Sequence, residues 1–210
     1  MRGMSTDIQV YTGGSCACNG YLVKAPNGYV AIDAPEGMAA WVAKKLPTGA
    51  RVTDLLITHQ HFDHVQGAAE LAAATGCNIH ACMPYSTALT LEDSVGRLWG
   101  ERVPPFRVDD AFGTACTQAE WSGLRWSIHH IPGHSPDGVA YELQEEECIF
   151  CGDILFAGAV GRTDFPGGSM SSLVRGIREK LLTRPHTTAV YSGHGPSTTL
   201  GEETLNNPYL

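Results

Sequence analysis

No stretch of this sequence approaches the roughly 20 consecutive apolar residues that cross a bilayer. The opening MRGMSTDIQVYTGG contains no apolar segment of the secretory kind. A membrane partner is therefore not expected, and the expected location is cytoplasmic. Basic runs are missing too. Lys and Arg number 14 against 22 Asp and Glu, a formal charge of −8, so counterion release from a phosphate backbone has little to draw on and nucleic acid is not an expected partner. The 7 cysteines (Cys16, Cys18, Cys77, Cys82, Cys116, Cys148 and Cys151) lack the paired spacing of a zinc ribbon or a disulfide scaffold. They read as reduced thiols. CAC (16–18) and CIFC (148–151) sit beside apolar, strand-like sequence and read as packing, although Cys16 and Cys18 lie in a Gly-rich turn that can approach a site. What the chain does have is 43% apolar residues, 17% charged residues, 24 Gly and 12 Pro over 210 residues. That balance describes a loop-rich globular chain with a core, organised as one domain over residues 1–210.

Patterning along the chain alternates strands with helices. IQVYT (8–12), GYLVKA (20–25) and GYVAIDA (28–34) read as strands, with PNG (26–28) supplying a hairpin turn. EGMAAWVAKKL (36–46) has helical spacing and stops at Pro47; VTDLLITH (52–59) reads as a buried strand. VQGAAELAAATG (65–76) reads as one Ala-rich helix capped by Gly76, followed by the strand CNIHAC (77–82). Between residues 84 and 118, STALTLEDSVGRLW has helical character and GERVPPFRVDDAFG the content of a long surface excursion, and no role is assigned there. Strands return at 124–133, 138–143 and 148–153, the last two joined by QEEE; a helix follows at 169–182, a strand at 188–195 and a short helix at 199–207.

Directly after the apolar run LLIT comes HQHFDH, which places His59, His61, Asp63 and His64 within six positions. In an extended segment alternate side chains share a face, so His59 and His61 point together, and the chain must turn before Asp63 and His64 reach a neighbouring position. One tetrad can therefore serve two adjacent sites. A catalytic zinc takes about three protein ligands plus water, and imidazole with carboxylate suits zinc, iron or manganese. His134 in IPGHSPDG, Asp153 in FCGDILF and His194 in YSGHGPS have the same setting, each ending an apolar run before turn residues. Solvated side chains capping a helix would explain one histidine but not this set. His80, His129, His130 and His186 lie within strands or surface turns without that setting, and no role is assigned to them.

HQHFDH, PGHSPDG, CGDILF and SGHGPST, in that order, resemble the successive motifs of the metallo-β-lactamase superfamily, and the resemblance covers essentially the whole chain. It implies an α/β fold, a four-layer αββα sandwich of two mixed sheets flanked by helices. Carried over by position, it implies a first divalent ion on His59, His61 and His134, a second on Asp63, His64 and His194, and a shared ligand in Asp153. Zinc is expected, with iron or manganese compatible with the same donors.

Within the superfamily, GDILFAGAVGRTDFPGG and GHGPSTTLGEETLNNPYL resemble the short bacterial relatives of glyoxalase II, the hydroxyacylglutathione hydrolases. The implied activity is hydrolysis of a small thioester such as S-lactoylglutathione by a metal-bridging hydroxide, with Asp63 orienting that hydroxide or taking its proton. Arg162 corresponds to a basic residue that meets a substrate carboxylate, the alternative being a surface pair with Asp164. The C-terminal helical substrate domain of the longer relatives is not expected. Three positions depart from the family pattern: Gln66 stands where Gly is frequent, Asp137 where Gly is usual, and CACNGYL replaces the common Asn-Cys-Tyr-Leu. None removes a metal ligand; Asp137 either tunes metal affinity or faces water. The rival reading is a mononuclear iron persulfide dioxygenase using His59, His134 and Asp153, which shares GRTDF but usually has Asp-Tyr after the last histidine, where this chain has GHGP. A non-catalytic metal-binding member of the fold is a further alternative. The expected partner is a small-molecule thioester, and the oligomeric state is left open.

Overall fold

The computed structural model describes residues 7–210; residues 1–6, part of the stretch read above for an export signal, lie outside the described residues. Six strands stand side by side in chain order: β1 (Ile8–Gly13), β2 (Cys18–Ala25), β3 (Gly28–Ile32), β4 (Val52–Leu56), β5 (Asn78–Ala81) and β6 (Asp110–Ala111). Ala25 pairs with Gly28, so Pro26 and Asn27 make the expected two-residue hairpin turn. β3, β4 and β5 run parallel. Parallel neighbours need crossovers, which here carry helices: α1 (Met38–Lys45) between β3 and β4, then α2 (Phe62–Val65) and α3 (Ala68–Thr75) between β4 and β5. Before β6 come two short helices, α4 (Thr87–Thr90) and α5 (Arg97–Trp99), separated by a π-helical turn over Glu92–Gly96.

The second sheet uses β7 (Gln118–Trp121), β8 (Leu124–His130), β9 (Val139–Leu143) and β10 (Cys148–Gly152). A small hairpin, β11 (Leu155–Phe156) with β12 (Ala159–Val160), and helix α6 (Met170–Gly176), continued by a π-helical turn over Ile177–Leu181, then lead on. β13 (Ala189–Ser192) lies parallel to β10, β14 (Thr198–Thr199) closes the edge, and α7 (Leu200–Asn206) ends the chain.

Period-2 alternation builds the four layers. On β2 and β3, Tyr21, Val23, Val30 and Ile32 face inward and meet Trp126, Ile128, Val139, Tyr141 and Phe150 of the second sheet. Their neighbours Leu22 and Ala31 face outward, with Leu55 and Ile79, against Met38 and Val42 of α1 and Leu71 of α3. The outer face of the second sheet, with Ala140, Ile149 and Cys151, is covered by Leu173, Ile177 and Leu181. Strands covered on both faces must be apolar nearly throughout, which is why they read as continuous runs. Each large side chain so buried contributes roughly 1.5–3 kcal/mol. The αββα expectation is met. Among the described residues no helix is long and apolar enough to cross a membrane.

Several boundaries differ from expectation. β3 stops at Ile32 because Asp33 turns to φ 54. β4 stops at Leu56, so the residues through His61 leave the sheet rather than extending it. The helix expected over 86–99 is broken at Leu91, whose φ is 57. β6, β7 and the β11–β12 hairpin were not anticipated, being short or polar at alternate positions.

The helix expected over 65–76 is split at Gly67, whose N–H donates to Ala34 O at 2.8 Å while Gly76 makes the expected left-handed cap. A Cβ on Gly67 would lie 2.5 Å from Pro35 O and 3.0 Å from Ala34 O, both backbone atoms that cannot swing away. Gly67→Ala is therefore expected to destabilise the fold by about 1–3 kcal/mol, read as a lowered midpoint in urea with an unchanged slope.

Candidate metal centre

The chain leaves β4 at Leu56 and is caught by Asp33, whose positive φ turns its carboxylate under the loop. Asp33 Oδ1 accepts from Thr58 N (2.8 Å), and Oδ2 accepts from Thr58 Oγ1 (2.7 Å) and pairs with His64 Nδ1 (2.8 Å). His61 then occupies the N-cap of α2, and this single helical turn supplies the change of direction that brings Asp63 and His64 to a second position. His134 follows β8, Asp153 follows β10 and His194 follows β13, so one end of the second sheet delivers the remaining donors. Gly193 lets the last strand approach: a Cβ there would run into Asp153 Oδ1 and His64 Cε1.

Three donor clusters result: His59 with His61 and His134; Asp63 with His64, His194 and Cys18; and His59 with His64 and Asp153. His59 Nε2 and His61 Nδ1 are 3.1 Å apart, and the His61 and His134 rings lie 4.5 Å apart. His194 Nε2 is 3.2 Å from Asp63 Oδ2. Asp153 spans the sets, with Oδ1 3.2 Å from His64 Nε2 and Oδ2 3.4 Å from His134 Nε2 and 3.5 Å from His194 Nε2. All seven residues named from the sequence are therefore brought together.

The donors fit divalent ions on a direct observation. His64 Nε2, His134 Nε2 and Asp153 Oδ1 are buried yet make no hydrogen bond among the described residues, and buried polar atoms are rarely left so. Electrostatics agree. Burial, with the neighbouring imidazoles, pushes the His59 pKa well below the usual range, and burial with His134 brings His61 to about 3. Both imidazoles stay neutral, the form that ligates. Burial alone would raise Asp63 and Asp153, but in each case the charge of His64, aided by the neighbouring His194 and for Asp153 also by His134, outweighs it, and both carboxylates are held below the usual range. Burial lowers His64, and Cys18, Asp153, Asp33 and Asp63 together reverse this and raise it.

Other groups orient the donors. His134 Nδ1 is 2.8 Å from Arg162 O, and Thr58 Oγ1 is 3.2 Å from His59 Nδ1. Asn19 Nδ2 donates to Ser192 O (3.1 Å) and Gly195 O (2.9 Å), clamping the backbone on both sides of His194. The sequence reading missed Asp33 and Asn19; Cys18, whose turn it noted as able to approach a site, does lie beside the donors. For Asp33 a signal existed: it is an acid ending an apolar strand run, just before Ala34-Pro35.

The departures from the family pattern also find places. Asp137 does not face water: it is buried, accepts from Gln60 N at 3.1 Å and from Ser135 Oγ, and belongs to none of the donor clusters. Gln66 donates to Glu101 Oε2 at 2.6 Å. Arg162 is paired bidentately with Asp164, both contacts 2.7 Å, and lies over the Phe165 ring. His80 contacts Asp54, His129 contacts Glu142, His130 contacts Pro136 O and His186 is exposed, so none joins the centre. The seven thiols are free, as expected.

A cavity of about 360 Å³ opens onto the donors, with Cys16, Phe62, Leu91, Val95, Trp99, Phe156 and Phe165 as its other walls and Arg162 at its edge. The broken helical segment before β6 thus supplies one wall of the cleft. Asp33→Asn should leave the fold intact by circular dichroism but weaken metal binding by about 10–100-fold, measured by competition with a chromophoric chelator.

Residues 13–194 match the metallo-beta-lactamase superfamily. The hydroxyacylglutathione hydrolase GloC of Haemophilus influenzae is 35% identical over 158 residues, covering 74% of each chain. A solved structure described as BLEG-1 B3 metallo-beta-lactamase superposes with a TM-score of 0.86 at 28% identity, covering 97% of this chain and 99% of that one. Another, TTHA1623 in a di-iron-bound form, gives 0.83 at 35% identity over 96% of this chain and 100% of that one. Sandwich, donor order and sequence match agree: this chain belongs to the metallo-beta-lactamase superfamily.

Proposed function

We propose that this protein is a metal-dependent hydrolase of a small thioester such as S-lactoylglutathione. The observation that carries this reading is Asp153, whose carboxylate reaches both donor sets, Oδ1 facing His64 and Oδ2 lying between His134 and His194, and so suits a pair of ions sharing one carboxylate. Bound divalent ions would supply Lewis acidity and lower the pKa of a water to near neutrality. Zinc fits the donor set first, and the di-iron form of a 35%-identical relative supports iron as an alternative. The likeness to a hydroxyacylglutathione hydrolase supports the thioester as substrate.

The chain's own residues have defined work in this reading. Asp63, kept ionised beside His194, is the acceptor for a proton at its Oδ2. Phe62, Trp99, Phe156 and Phe165 wall the cleft and exclude bulk water from the scissile carbonyl. Arg162 would meet a carboxylate of the thiol carrier by leaving Asp164. That exchange is cheap, because an exposed pair is worth about 0–1 kcal/mol. Seven unpaired thiols support a reducing compartment, the cytoplasm.

The test is turnover of S-lactoylglutathione by protein carrying close to two metals per chain. His64→Ala should lower the rate by roughly 100-fold or more, since ligand loss exceeds the loss of an orienting group. One iron per chain, with oxygen uptake on glutathione persulfide and no thioester turnover, would replace this reading with the dioxygenase. Arg162→Ala should raise KM for the glutathione thioester roughly tenfold with kcat retained; an unchanged KM would remove Arg162 from substrate binding.

A further inference from the structure

Cys18 opens β2 directly after Ala17, whose φ of 53 turns the chain back from the β1–β2 loop. The side chain is 0% exposed. Its sulfur lies within 4.8 Å of one donor atom each from Asp63, His64 and His194, and those atoms lie within the same distance of one another. The thiol makes a long 3.7 Å contact with Asn19 O, its neighbour in the chain, and also interacts with the His64 side chain. A second, independent observation points into the same space. His64 is fully buried, its Nδ1 is taken by Asp33, and its Nε2 has no hydrogen-bond partner among the described residues.

We propose that Cys18 is a sulfur ligand to the ion held by Asp63, His64 and His194. The proposal rests on the metal-centre reading above. A tetrahedral zinc with Zn–S of about 2.3 Å and Zn–N of about 2.0–2.1 Å holds its sulfur and nitrogen roughly 3.5 Å apart, inside the 4.8 Å envelope observed. Ligation replaces the S–H bond by an S–metal bond and releases the thiol proton to solvent, with no redox change. Other buried thiols are not so placed: Cys151 donates to Leu155 O at 3.2 Å, and neither Cys148 nor Cys151 joins a donor cluster.

The consequence is an asymmetric centre. The first position has three imidazoles; the second has a thiolate, a carboxylate and two imidazoles, and with Asp153 shared between them it is the more crowded of the two. A soft sulfur donor also disfavours manganese and magnesium there relative to zinc or iron. Cys16, on the same turn but half-buried and on the cavity wall, belongs to no donor cluster.

The test is the absorption spectrum of apoprotein titrated with cobalt(II), which needs no substrate. A sulfur-to-cobalt charge-transfer band in the near ultraviolet should appear, survive in Cys16→Ser and vanish in Cys18→Ser. The affinity for one of two cobalt equivalents should fall by at least about tenfold in Cys18→Ser. Should Cys18→Ser fail to fold, the wild-type and Cys16→Ser spectra decide alone. Two cobalt ions bound to wild-type protein with ligand-field bands but no charge-transfer band would overturn the sulfur ligand and leave the metal centre standing. A band that disappears in Cys16→Ser would assign the sulfur to the wrong turn residue and also overturn it. Failure to bind cobalt at all would overturn both.

Discussion

The carboxylate of Asp33 ties three parts of the chain to one point. It accepts from the backbone and the hydroxyl of Thr58 and pairs with the far nitrogen of His64. These contacts hold the end of β3 against the loop leaving β4, and they decide which His64 nitrogen faces the cleft. A donor whose other nitrogen is occupied presents its free nitrogen in one direction. The remaining donors are arranged around that fixed imidazole: Asp153 at 3.2 Å from His64, and His194 and His134 within 3.5 Å of Asp153. Crowded imidazoles and ionised carboxylates with orphaned atoms are costly in a dry cleft unless a cation joins them.

The sandwich makes such crowding mechanically possible. Its inner layers pair Tyr21, Val23 and Ile32 with Trp126, Tyr141 and Phe150, and two rigid sheets then present their loops at a common end. Donors on loops anchored to packed strands hold their spacing better than donors on free loops. The clamp from Asn19 on β2 to Ser192 and Gly195 crosses between the sheets and joins the two sources of ligands. Tyr21 reinforces it, donating to Ser192 O at 2.6 Å.

Where sequence reading and structure diverge, steric and packing reasons separate them. The Ala-rich run at 65–76 has uniform helix propensity, but Gly67 must pass close to Pro35 O, a contact between residues far apart in sequence. Propensity carries no information about such a contact. The segment 86–99 has helical composition, yet Leu91 adopts a left-handed conformation and the chain breaks into short turns whose Leu91, Val95 and Trp99 wall the cleft. Cys18 reads as a packed thiol and is indeed fully buried. Burial and proximity to a donor set are compatible, and apolar flanking sequence distinguishes only the first.

By itself the sequence determined the donor inventory. HQHFDH, with His134, Asp153 and His194 at the ends of apolar runs, names every histidine and carboxylate that joins a donor cluster, and the family resemblance these motifs carry implies the layered sandwich. The sharing of Asp153 was implied by the family resemblance, and the structure places Asp153 within reach of both sets. Only the tertiary structure decided that Arg162 pairs with Asp164, that Asp137 is buried on Gln60 and that Cys18 lies beside His64. Pattern and spacing act over a few residues along one element. The placements of Asp137 and Cys18 depend on distances between segments tens of residues apart, and those are fixed by sheet register and the packing of one sheet on another.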